Sequence, residues 1–183
     1  MATEKSEADL QTEIDVLLAD NVGGDISAAD TRTVVENQLV QQGSGGIYFQ
    51  DFTNTIAVPV ADTVTKLVGF TSNSSEGDLA VAADQANDRL VIGVDGRFLL
   101  NGGLTAEGLG NNVKYIFGFL INGTAYGLGA SGARVSSDDL ISPSMSVHVT
   151  LLAGATVELY GVRDSGSTSI DVGSLKLSAV RYR

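Results

Sequence analysis

His148 is the only histidine in the chain, so any Ser-His-Asp device would have to be built on it. It sits in SMSVHVTL, residues 144 to 151, between Val147 and Val149, which puts it on the polar face of a strand. An imidazole there is expected at a surface or an interface, not as a catalytic base. No cysteine is present, which removes a thiol nucleophile, a disulfide scaffold and a zinc cluster. A metal would need oxygen ligands, and the candidates are Asp84, Asn87 and Asp88, or Asp138 with Asp139. Both groups lack the ordered spacing of a calcium loop, so solvated acidic turns are predicted instead. Acids are numerous enough for a glycosidase pair, yet they concentrate near the start of the chain, where helix solubility accounts for them. The glycines of NGGLTAEGLGNN, residues 101 to 112, lie between strands and precede no lysine-bearing helix, so they do not cradle a phosphate. The residues therefore predict no enzyme, no catalytic site, no metal and no cofactor.

The 183 residues are enough for one main domain with a small appendage, and the formal net charge is -11. Residues 1 to 42 hold nine of the acids against Lys5 and Arg32, a net of -7, while Arg163, Lys176, Arg181 and Arg183 make the last stretch mildly basic. An acidic chain is a poor partner for a phosphate backbone, so nucleic acid is excluded as a ligand. Nothing near the start has the basic and apolar order of a leader, and no apolar run approaches the roughly 20 residues that span a bilayer. A soluble chain without a classical export signal and without a membrane partner is expected.

The hydrophobic period divides the chain. In SEADLQTEIDVLLADN, residues 6 to 21, Leu10, Ile14, Leu17 and Leu18 share one helical stripe, and Ser6 with Asp9 forms a short-armed capping box. Asn21, Gly23 and Gly24 stop this helix. Ser27 caps a second one, on which Val34, Val35 and Leu39 continue the stripe. Two helices this short bury little by themselves and need cover for their apolar faces, from their own β-domain, from another protein or from copies of themselves. GSGG at 43 to 46 would uncouple them from the remainder of the chain. The expected organisation is a helical anchoring segment over 1–42, a glycine-rich linker over 43–54 and a β-sandwich over 55–183.

Beyond residue 55 the turns come at the short spacing of a sandwich, and about eight strands are expected. RLVIGVDGRFLL, residues 89 to 100, predicts a hairpin about Asp95 and Gly96, and VKYIFGFLINGTAYGLG, residues 113 to 129, another about Asn122 and Gly123. In the second, Val113, Tyr115, Phe117, Phe119 and Ile121 share a face while Ile116 and Leu120 occupy the other, so this strand is covered on both sides. Met145, Val147, Val149 and Leu151, then Val157 and Leu159, then Leu175, Leu177 and Ala179 give three more inward faces.

SVHVTLLAGATVELYGV followed by a small-residue loop and SLKLSAVRYR resembles the closing strands of the trimeric jelly rolls shared by tumour necrosis factor and the globular heads of complement. DNVGGDISAADTRTVVENQL, ahead of GGIY, is similar to short helical segments of bacteriophage virion proteins. Together the two resemblances imply a mainly β protein, an antiparallel jelly-roll β-sandwich preceded by a short N-terminal two-helix segment. They further imply a homotrimeric capsid decoration (cement) protein, made in the host cytoplasm and carried on the outer capsid surface of the virion. Its partner would be the major capsid protein or another virion protein, held through Leu10, Ile14, Leu17, Leu18, Val34, Val35 and Leu39. Tyr115, Phe117, Phe119 and Tyr160 are the aromatic residues expected at the trimer interface, with the sandwich core as the competing location for Phe117 and Phe119. A head or tail fibre module that recognises host surface glycans is the alternative function. It would need aromatic platforms in the loops at 71 to 78, 101 to 112 and 164 to 169, and these hold none.

Overall fold

The computed structural model describes residues 44–57, 62–73, 80–108, 113–135, 140–164 and 169–182. The two expected helices, with Leu10, Ile14, Leu17, Leu18, Val34, Val35 and Leu39, lie outside the described residues, as do Asp138 and Asp139.

Alternating sequence builds two antiparallel sheets that face each other. The first contains β1 (Ser44–Ala57), β3 (Ser72–Asn73), β6 (Gly96–Gly108), β10 (Ser144–Leu151) and β12 (Ser169–Tyr182), in the order β10-β6-β12-β1-β3. The two-residue strand β9 (Leu140–Ile141) adds to β6. The second contains β4 (Val81–Asp84), β5 (Arg89–Ile92), β7 (Val113–Ile121), β8 (Thr124–Val135) and β11 (Thr156–Arg163), in the order β4-β5-β11-β7-β8, with β2 (Thr65–Lys66) on β11. This is the strand arrangement of a jelly-roll sandwich. The excess over eight strands comes chiefly from β2, β3 and β9, each two residues long and too short for an alternation to show.

Three sequence expectations are corrected, the first being the loop at 101–112, whose residues 101–108 belong to β6 and pair with β12. Residues 44–54 are not a linker: β1 runs through them and pairs with β12 from Ser44↔Val180 to Ala57↔Ser169, so the sandwich begins at Ser44. Glycine at 45 and 46 is here strand, because the neighbouring β12 supplies the hydrogen bonds that glycine's flexibility would otherwise forgo. Nor do residues 89–100 form a hairpin. β5 pairs with β4 and β11, whereas β6 pairs with β10 and β12 in the opposite sheet. Residues 93–95 carry the chain from one sheet to the other, and the Asp95 carboxylate accepts the Ala153 amide at 2.7 Å in place of closing a two-residue turn. The turn at Asn122 and Gly123 does form, with φ of 52° and 74°, and joins β7 to β8.

The core lies between the sheets. Ile47, Phe98, Leu100, Leu104, Met145, Leu175 and Leu177 enter from the first; Leu90, Ile92, Val113, Tyr115, Phe117, Phe119, Val157 and Leu159 enter from the second. Tyr115 and Phe117 stack with ring centroids 6.1 Å apart. The sheets approach closely at Gly102, where a β-carbon would stand 2.9 Å from Leu159 and 3.0 Å from both Met145 and Phe119. Arginines also reach inward: Arg181, buried, donates from a terminal nitrogen to the Asp95 carbonyl at 2.9 Å beside Gly96.

Candidate assembly interface

Of the aromatic residues expected at an interface, Tyr115, Phe117 and Phe119 are placed in the core, the competing location for Phe117 and Phe119. Tyr115, Phe117 and Phe119 have no exposed surface; they fill the core between the sheets and offer a second copy nothing to touch. Period-two patterning names the buried face but does not say whether it is buried by the same chain or another. Tyr160 points to the outer side of the second sheet, where it is 6 % exposed because its ring lies over Gly118 on the neighbouring strand. A β-carbon at Gly118 would be 2.6 Å from that ring. Gly118→Ala is therefore expected to push Tyr160 into solvent at a cost of about 1–3 kcal/mol, read as a lower denaturation midpoint with faster nitration of Tyr160.

Beside Tyr160 on the same face, Glu158 is nearly buried and takes an ion pair from Lys66, whose ammonium also donates to the Asn87 carbonyl at 2.6 Å. This ties β2 to the 3-10 turn at Gln85–Asn87. The group Asp84, Asn87 and Asp88 is used in the same local way. Asp88, in the left-handed region, accepts the amides of Gly69 and Phe70 at 2.8 and 2.9 Å. Asp84 accepts from the Asn87 side chain and from Arg89 Nε. Among the described residues no three His, Cys, Asp or Glu side chains converge to hold a metal ion.

The Asn87 amide, and after it Arg89, hold the Asp84 carboxyl below the usual carboxylate range. A folded value below the unfolded one means that the ionised form stabilises the fold above the ordinary carboxylate pKa, and that this is lost as pH falls through the folded value. Asp84→Asn is expected to lower the urea midpoint slightly at neutral pH. The gap from the parent should narrow as the pH drops below about 4.

The outer face of the first sheet is chemically different. Inward residues of β6, β10 and β12 leave Arg97, Leu99 and Asn101, then Ser144, Ser146, His148 and Thr150, then Lys176, Ser178, Val180 and Tyr182 on the opposite side. Register assembles these into rows: His148, Leu99, Val180 and Ser44 in one, and Ser146, Asn101, Ser178 and Gly46 in the next. Gly103, Lys176 and Tyr48 form a third. Val180 is 39 % and Tyr48 45 % exposed, so apolar surface flanks a strip of small polar residues on which another chain can approach closely.

His148 lies on this face, as its alternation predicts. Its Nδ1 is 2.6 Å from the Tyr182 hydroxyl, and the two rings meet edge to face with centroids 4.9 Å apart. Ser146, two residues along β10, instead donates to Asn101 Oδ1 at 3.0 Å. The imidazole thus has a phenol where a catalytic arrangement needs a nucleophile on one nitrogen and an orienting carboxylate on the other. Sequence reasoning overlooked Tyr48, Leu99, Val180 and Tyr182. The signal was present in RFLL and SAVRYR, where apolar residues occupy both phases of the alternation.

No protein-family model matches the chain, and no curated protein matches it. Solved structures do. Eiger TNF from S. frugiperda superposes with a TM-score of 0.56 at 9 % identity, over 78 % of this chain and 94 % of that one. Murine APRIL, in a crystal structure at pH 5.0, gives 0.50 at 12 % identity, over 76 % and 99 %. The globular domain of the zebrafish complement 1qA protein gives 0.51 at 10 % identity, over 77 % and 98 %. At such identities the likeness is one of fold: the sandwich is a jelly roll of the tumour-necrosis-factor and complement-head kind.

Proposed function

We propose that this chain is a non-enzymatic structural protein of a bacteriophage virion: a homotrimeric capsid decoration protein that binds across capsomers and stabilises the head. The observation that carries the trimer is the outer face of β10-β6-β12-β1, whose exposed Val180 and Tyr48 flank small polar residues on a jelly roll of this kind. The acidic leading segment, with its stripe from Leu10 to Leu39 and its similarity to phage virion segments, supports the virion role. A protein that binds only the assembled shell stabilises it by mass action, and three linked leading segments raise the effective concentration of each at the capsid.

Light scattering on the full-length protein tests the trimer, with a mass of three chains expected; a single-chain mass at micromolar concentration overturns it. Co-sedimentation with empty capsids of the phage that encodes the chain tests the role. Capsids carrying the protein should resist heating better than bare ones, and equal resistance would remove the cementing function.

A further inference from the structure

The two ends of the sandwich are built differently. At the end where β1 starts, register brings together Ser44, Gly96, Leu151 and Tyr182, and the connections 93–95, 122–123 and 152–155 are short. These connections interlock. Ala153 donates to Asp95, Gly154 to the Ile92 carbonyl at 2.7 Å, and Ile92 to the Ala155 carbonyl at 2.8 Å. Asn122 exchanges hydrogen bonds with Thr156 through its amide at 3.0 Å and its side-chain oxygen at 2.9 Å. From this polar platform projects Leu152, 67 % exposed as the first residue of the turn that its carbonyl closes by accepting the Ala155 amide.

Resting on the anchoring role proposed above, we infer that this end is a second contact surface for the capsid protein that holds the leading segment, with Leu152 seated in an apolar recess of that partner. Position carries the argument. The last apolar stripe residue, Leu39, is five residues before Ser44, so an anchored stripe holds the start of β1 within about 18 Å of the surface it grips. A leash that short gives the platform a high effective concentration at that surface, where even a small contact is populated. The hydrogen-bonded turns have already lost the freedom that binding would otherwise cost them, and a protruding leucine ringed by backbone polar groups fits a pocket in a folded protein. Leu140, 61 % exposed, sits at the opposite end, where β9 pairs with Ala106 and Glu107. It has the same chemistry without the leash.

The test titrates full-length variants onto empty capsids of the encoding phage and measures co-sedimentation. Leu152→Asp should bind about tenfold more weakly, Leu140→Asp as the parent does, and Leu17→Asp, in the stripe, should lose binding. Circular dichroism and the melting temperature check that Leu152→Asp folds, and Leu152→Ala provides a milder second variant. If Leu17→Asp loses binding while both Leu152 variants bind like the parent, the platform is not a contact and only the anchoring role survives. Parent-like binding by Leu17→Asp overturns the anchoring role, and with it the leash on which the platform depends.

Discussion

Phe119→Ala should lower the stability of the sandwich by about 3–5 kcal/mol, and the melting temperature by roughly 6–20 °C. Phe119 is fully buried, and it meets the opposite sheet at Gly102, whose missing β-carbon is what lets the ring edge come so near. Removing the ring leaves a cavity bordered by Leu159 and Met145, two side chains fixed on different sheets that cannot collapse into it together. The loss should not depend on protein concentration. That distinguishes a core residue from an interface residue, for which the gap in melting temperature between variant and parent would widen as the protein is diluted. Phe117→Ala should behave alike. Chemical denaturation at two concentrations a hundredfold apart decides the matter; a loss seen only in the dilute sample would return these aromatics to an interface.

Val180→Glu should instead leave each chain folded and separate the copies. Val180 is exposed on β12, between Leu99 and Ser44 in its row, and neither of those neighbours can neutralise a carboxylate forced against the same face of another copy. Burying an unpaired charge costs several kcal/mol, enough to dissociate a moderately stable oligomer. The mass should fall from three chains to one with unchanged far-ultraviolet circular dichroism. Val64→Glu is the control: Val64 is 43 % exposed but precedes β2 on the other sheet, and this variant should keep the parental mass. A trimeric Val180→Glu would move the interface away from this face.

Much of the body was legible because its strands are long and half-buried. The alternation in SMSVHVTL and SLKLSA named the inward residues, and Asn122-Gly123 named its own turn through its need for positive φ. Two readings failed for definite reasons. Asp-Gly between apolar arms has the chemistry of a hairpin, but the Asp95 carboxylate is taken up by Ala153 and the arms belong to different sheets, a long-range fact with no local trace. Residues 43 to 46, Gly-Ser-Gly-Gly, have the composition of a linker, yet Ser44, Gly45 and Gly46 are strand because β12, much later in the chain, pairs with them. The interface was misjudged through a related ambiguity. Aromatic content marks burial and says nothing of who does the burying, while the four residues that expose the outer face are ordinary singly and meet only through register.

The pairing of Ser44 with Val180 also bears on how the chain is made. β12 lies in the middle of its sheet, between β1 and β6, yet among the described strands it leaves the ribosome last. Until it arrives, both of those strands expose a full row of unpaired amides and carbonyls, and neither can find its partner by local contact. From the appearance of β6 until that of β12 the nascent polypeptide therefore carries two sticky ribbons, which one late insertion zips together.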